Sequence, residues 1–379
     1  MTKVLKILIT WRLLLFIPVI LSQYVLDYGT SVPFFEIAFY KDLPKYLDHP
    51  FLTAWANFDG VHYLNIASDG YESAGRFFPF FPLILWIFSL GNIYFPLTFI
   101  NSLIIPNIIF IAAIYIFIKL LKLDYSEKVS WQAFIYLIIF PTSFFFISVY
   151  SEGIFLLLTL LSFYFMRKRQ WYLAALTAML LSGTRLVGLV IIPALVFEFI
   201  TIEKPRNFKG FFTLSLLVFI SSLGFIGYSV FSYFHWADFL HFLNAQGELN
   251  NGRSTSALIF PLQTVYRYFK ILTTLPMSLF EWWVALLELA SFIYGAFFLL
   301  LAWRQKVRHS YLIFGALAFL VPSLSGTFSG LPRYLIVIFH IFIAMAQMKS
   351  NKFKTLYYLI SASLLFLLLM YFTMAYYIS

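Results

Sequence analysis

The run IYFPLTFINSLIIPNIIFIAAIYIFI, Ile93 to Ile118, holds 26 residues without one charged side chain. A helix rises about 1.5 Å per residue, so roughly 20 apolar residues cross the hydrocarbon core of a bilayer, and this run is long enough. Runs of the same kind recur outward from it: Ile7 to Leu26, Trp131 to Val149, Gly153 to Met166, Phe211 to Phe234, Trp282 to Trp303, Tyr311 to Phe328, Tyr334 to Met348 and Thr355 to Ile378. Two shorter runs, Trp171 to Ser182 and Leu186 to Ile200, bring the expectation to about 11 spans. Composition agrees, because 62% of residues are hydrophobic and only 11% are charged, which excludes an ordinary soluble domain and a disordered chain. The fold class expected is an all-α polytopic membrane protein. No soluble boundary, low-complexity tract or internal repeat divides it, so residues 1–379 read as one membrane domain.

The formal charge of +10 does not point to nucleic acid, since the basic residues stand in short clusters between apolar runs. Such clusters mark cytoplasmic loops. They are Lys119/Lys122/Lys128, Arg167 to Arg169, Lys204 to Lys209, Arg304 to Arg308 and Lys349 to Lys354. Lys3, Lys6 and Arg12 around the first apolar run, with no small-residue cleavage signal, predict a retained signal anchor with its N-terminus inside. For the sides to alternate, Phe77 to Leu90 must be a re-entrant or half helix, broken by Gly91-Asn92. Cysteine is absent, which removes disulfides, thiolate metal sites and cysteine nucleophiles.

With these sides assigned, the unusual polar groups fall on the extracytoplasmic face. They are the loop 27–76, Tyr150-Ser151-Glu152, Thr184-Arg185, the loop from His235 to Leu279, and Leu331-Pro332-Arg333-Tyr334. In the first loop Trp55, Phe58, Val61, His62 and Ile66 recur at helical spacing. They predict a short helix along the membrane interface, with Asp59, His62 and Tyr63 on its other edge. Leu258 to Leu275, with Arg267 and Lys270, predicts a second interfacial helix or a tilted span. His62 and His235 form no ligand constellation, and no His/Asp/Glu cluster has a strong metal spacing. No cofactor is required; a divalent metal held by Asp59 and Glu152 is compatible with the sequence without being implied by it.

Phe58-Asp59-Gly60-Val61-His62-Tyr63-Leu64, then Gly70-Tyr71, then Phe77-Phe78-Pro79-Phe80-Phe81-Pro82 resembles the signature of the PIG-V mannosyltransferases, GPI mannosyltransferase 2 and its prokaryotic relatives. The resemblance continues in order through Pro106-Asn107, Pro141 to Phe145, Tyr150-Ser151-Glu152, Thr184 to Gly188, Ala245-Gln246-Gly247 with Arg253, and Pro332-Arg333-Tyr334. Phe58 stands where the family commonly has Trp. The resemblance implies a GT-C type glycosyltransferase that uses a polyprenyl- or dolichyl-phosphate sugar. Its catalytic carboxylate lies in the first external loop, at the position of Asp59. The acceptor would be a glycolipid or another hydroxyl compound, and the membrane lipid itself is a partner. A composition rich in Ile, Phe and Lys favours a prokaryotic plasma membrane over the endoplasmic reticulum.

The chemistry is consistent with one base. A lipid phosphate leaves readily as an anion, so no general acid is needed, in contrast to glycosidases with their paired carboxylates. Asp59 would take the acceptor's proton and give inversion at the anomeric carbon. The departing phosphate needs cations, for which Arg333 and Arg185 come first, then Arg253 and His62. Glu152, Tyr63, Gln246 and Tyr334 are the candidates for sugar or acceptor binding.

Each residue also has a plainer reading. Asp59 could cap its helix, and Glu152 could answer a helix dipole. Arg333 could snorkel to headgroups, Arg185 could mark a structural break, and Gln246 and Arg253 could be merely solvated. A transporter or flippase of lipid-linked sugars is the rival function, because broken helices with charged groups also move headgroups without bond cleavage.

Overall fold

A computed structural model describes residues 2–29, 47, 49–71, 75–247, 254 and 258–378, and among them the chain is helical with no strand. Six helical segments are long and apolar enough to cross a membrane: Thr2–Val25, Phe95–Leu121, Leu186–Glu203, Phe208–Trp236, Phe280–Arg304 and Asn351–Thr373. The chain is therefore a multi-pass helical membrane protein. It packs as two compact units, Met1–Leu160 with Lys349–Ile378, and Leu161–Met348. Among the described residues, each unit holds three of the six long segments.

In the first unit, α1 (Thr2–Leu14) and α2 (Phe16–Val25) form one span interrupted at Leu15. Pro18 accounts for the interruption, since it has no N–H to give the carbonyl of Leu14 and its ring crowds that carbonyl. α3 (Asp59–Asp69) and α4 (Phe80–Phe88) follow, and α4 is a short helix that ends before Gly91-Asn92, where the break was expected. Its end is a reversal in which Leu90, Gly91 and Asn92 all take positive φ, 54°, 75° and 58°. α5 (Phe95–Leu121) is the long span first read from the sequence.

The next run departs from expectation. Trp131 to Val149 is not one span: α6 (Glu127–Ile138) stops after 12 residues, and a single 3-10 turn at Ser143–Phe146 follows. Pro141 disfavours helix at the residue before it, and the hydroxyl of Ser143 takes up the Ile138 carbonyl at 2.7 Å. This irregular stretch is almost wholly buried, as non-helical backbone in an apolar body must be. α7 (Glu152–Arg167) comes next.

In the second unit, α8 (Trp171–Ser182) leads through a 3-10 stretch, Leu186–Val190, into α9 (Ile191–Glu203). α10 (Phe208–Trp236), α11 (His241–Gly247), α12 (Pro261–Thr274), α13 (Phe280–Arg304) and α14 (His309–Ser323) follow. Among the described residues, α8 and α10 are the helices that pack together most extensively. A Cβ at Gly224 would collide with the Met179 carbonyl, so only glycine admits this approach, and Ser182 Oγ donates to the Ser221 carbonyl at 2.9 Å beside it. The apolar run Tyr334 to Met348 is again not a continuous helix. One turn at Leu331–Tyr334, a 3-10 turn at Leu335–Val337 and α15 (His340–Ala346) are separated at Ile338, whose φ of −84° and ψ of 66° leave the helical region. α16 (Asn351–Thr373) returns to the first unit and packs on α2.

Candidate functional site

Asp59 opens α3 and is half-buried. It is the first helical residue, whereas the N-cap is Phe58, which makes no side-chain capping bond. Phe58 has φ 58° and ψ −115°, a conformation a bulky residue adopts only under constraint. The constraint is visible. Phe58 sits among the rings of Phe372 and Tyr377, with centroids 5.8 and 5.6 Å away. Asn57 Nδ2 donates to the Phe372 carbonyl at 2.9 Å, and the Tyr150 hydroxyl donates to the Asn57 carbonyl at 2.8 Å. Val149 N–H donates to the Trp55 carbonyl at 2.9 Å. A Cβ at Gly60 would stand 3.3 Å from the Val149 carbonyl, so glycine lets the helix start lie against the bend at Val149.

These bonds bring two motifs separated by some ninety residues into one cluster. The Tyr63 and Ser151 hydroxyls share a 2.9 Å hydrogen bond, and Glu152, 1% exposed, is the first residue of α7 beside it. Tyr63 is buried and packs edge-on to Phe77 and Phe81, with centroids 5.0 and 5.1 Å apart, so it lies on the packed side of α3. Phe77 also stacks on His62 at 5.0 Å, and its carbonyl accepts from the Tyr71 hydroxyl at 2.8 Å. Asp59, His62, Tyr63 and Glu152 thus belong to one neighbourhood of the first unit, together with the Phe77 to Phe81 motif.

Arg76 is the residue that sequence reading missed. Its Nη2 lies 2.9 Å from His62 Nε2, and its guanidinium stands 5.0 Å from the Phe77 ring centroid. A guanidinium only donates, so Nε2 accepts and the imidazole is neutral with its proton on Nδ1. Burial and then the Arg76 charge push the His62 pKa down, against an opposing pull from Asp59. A neutral ring brings no charge to a phosphate; Arg76 is the cation beside His62. Its signal was an arginine on the expected extracytoplasmic side, immediately before the aromatic-proline motif.

The second unit holds the other expected cations. Arg185 follows the end of α8 in extended backbone, φ −159° and ψ 150°, and its guanidinium lies 4.8 Å from the centroid of the Tyr334 ring. Arg333 is only 7% exposed, which rules out snorkelling to headgroups. The segment leading to it is held by a buried network. Tyr268 of α12 donates to Glu288 Oε2 at 2.5 Å, shares a 2.9 Å bond with Thr327 and accepts from the Phe328 N–H at 2.9 Å. Arg267 Nη1 adds a 2.7 Å bond to the Gly326 carbonyl. Burial first, and the neighbouring carboxylate second, push the Tyr268 pKa far up, so the phenol stays protonated and donating. Glu288 was legible as a lone carboxylate inside the apolar run Trp282 to Trp303.

Gln246 lies on α11, and Arg253 lies outside the described residues. Among the described residues no group of three or more His, Asp or Glu is placed to hold a metal ion. In comparisons with known proteins, no family model matches the chain and no curated protein matches it.

Proposed function

We propose that the chain is an inverting glycosyltransferase of the GT-C type, similar to the PIG-V mannosyltransferases. It moves a sugar, mannose first, from a polyprenyl or dolichyl phosphate to a hydroxyl acceptor on the extracytoplasmic face of a prokaryotic plasma membrane. One observation carries the reading. Asp59, a carboxylate at a helix start, follows a residue of constrained backbone, and that start is bonded to a second polar motif, Tyr150-Ser151-Glu152, across an otherwise apolar body. Constraint of this kind gathers where side-chain placement matters to function.

The step balances without a cofactor. The acceptor hydroxyl gives its proton to the Asp59 carboxylate as its oxygen bonds to the anomeric carbon. The bond from that carbon to the phosphate oxygen breaks, and the electron pair leaves with the lipid phosphate. Glu152, with Tyr63 as support, orients a hydroxyl of sugar or acceptor in the first unit. Arg185 and Arg333 are assigned to the phosphate, with Tyr334 beside them as a surface for a sugar ring. Arg253 and Gln246 keep the supporting roles expected from sequence.

The test is release of polyprenyl phosphate from a radiolabelled polyprenyl-phosphate-mannose by the purified protein with membrane lipids as acceptors. Asp59→Asn should lower the rate by about two to four orders of magnitude while the protein stays folded. Turnover retained in a well-folded Asp59→Asn protein removes Asp59 as base. Intact donor carried across proteoliposomes without release would establish transport instead.

A further inference from the structure

The first span holds a charge that the proposed reaction does not use. Arg12 stands in the last turn of α1, about halfway along the span Thr2–Val25. At about 1.5 Å per residue this is roughly 15 Å from one end and roughly 20 Å from the other, beyond the reach of an arginine side chain to either surface. The guanidinium is stacked on the ring of Trp55, 3.8 Å from its centroid, with Phe16 at 4.8 Å on the same residue. Trp55 is fully buried and pinned by its Nε1 bond to the Phe51 carbonyl, 3.0 Å long.

Arg12 Nη1 is buried with no hydrogen-bond partner, as is Nε1 of the adjacent Trp11. Aromatic faces offset part of the cost of a desolvated guanidinium, but they satisfy none of its in-plane N–H groups. Arg12 is part-buried, and an Nη1 at this depth with no acceptor is an unmet cost that an oxyanion meets best. Phosphate oxygens fit the planar fork, and in an apolar body the lipid phase is the route by which phosphate arrives.

We propose that Arg12, on the shelf made by Trp55 and Phe16, is a binding site for the phosphate of a membrane lipid. The proposal gives Arg12 no part in sugar transfer, so its failure leaves that reading untouched.

Delipidated protein titrated with phosphatidic acid, and in parallel with diacylglycerol of the same chains, tests it by native mass spectrometry and thermal unfolding. Wild type should retain one phosphatidic acid and gain melting temperature with it, while diacylglycerol does neither. Arg12→Gln should bind at least about tenfold more weakly, as loss of a charge-assisted bond implies, and Arg12→Lys should fall between. Without added lipid Arg12→Gln should melt no lower than wild type, because it removes an uncompensated charge; a purely structural arginine would make it melt lower. An equal gain in melting temperature from inorganic phosphate alone, lost in Arg12→Gln, would reassign the site to free phosphate and overturn the lipid assignment. Equal retention and equal stabilisation by phosphatidic acid in wild type and Arg12→Gln would overturn the site.

Discussion

Two stretches of irregular backbone carry the polar chemistry of this protein, and they are held in opposite ways. Around Asp59 the chain is fixed by neutral bonds to backbone: Asn57 to Phe372, Tyr150 to Asn57, Val149 to Trp55. Around the segment before Arg333 it is fixed by a buried carboxylate, Glu288, working through the Tyr268 hydroxyl. Neutral clamps leave the local charge to Asp59, Glu152, Arg76 and whatever binds there. The carboxylate of Glu288 instead brings its own desolvation cost, which the phenol of Tyr268 helps to meet. The first region is built to tolerate a change of charge and the second is not.

The largest effect that can break this contrast lies at another buried carboxylate of the second unit. Arg308 holds Glu198 through Nε, 3.0 and 3.1 Å from its two oxygens, and through Nη2 at 2.5 Å. The Glu198 side chain is 3% exposed, so Arg308→Ala strands a carboxylate and should cost about 3–5 kcal/mol in reversible unfolding. Glu198→Gln in the same background should recover most of it. Equal stability of Arg308→Ala and wild type would show that the second unit tolerates stranded charge after all.

Next in size is Tyr268→Phe, which removes the donor to Glu288 and the acceptor of the Phe328 N–H together. About 1–3 kcal/mol should be lost. If the network also positions Arg333, donor KM should rise in this variant while kcat holds. A stability loss with no change in KM would leave the network purely structural.

The sequence announced the helices better than it announced these clamps. Length and apolar content suffice for Phe95–Leu121, Phe208–Trp236 and Phe280–Arg304, and Gly91-Asn92 marked the end of α4. They fail for Trp131 to Val149 and Tyr334 to Met348, because an apolar run reports that a segment is out of water without telling protein from lipid. Both runs are buried inside protein, where side chains such as Ser143 can satisfy a broken ladder. Asp59 and Glu152 were legible as polar residues at apolar boundaries. Arg76, Arg12 and the role of Glu288 were not: topology offered a sufficient explanation for Arg12, and the partners of Arg76 and Glu288 are set by packing.

The smallest effect sharpens the comparison from the neutral side. His62 is held uncharged in the folded protein by burial and by Arg76, with its pKa below the ordinary 6.5. When pH falls below 6.5, the unfolded chain gains a proton there that the folded chain refuses, so the unfolded state binds more protons and stability declines. The contribution is complete above pH 6.5 and is lost progressively on acidification toward the lowered folded value. A melting-temperature series from pH 7.5 to 5.5 should therefore slope downward, and His62→Gln, whose amide oxygen can still accept from Arg76, should flatten that slope. Asp59→Asn should act in the opposite sense and steepen it, because the Asp59 charge is what raises the His62 pKa. An unchanged slope in both variants would mean that His62 takes up its proton equally in the folded and unfolded states, and that its bond to Arg76 does not hold the ring neutral.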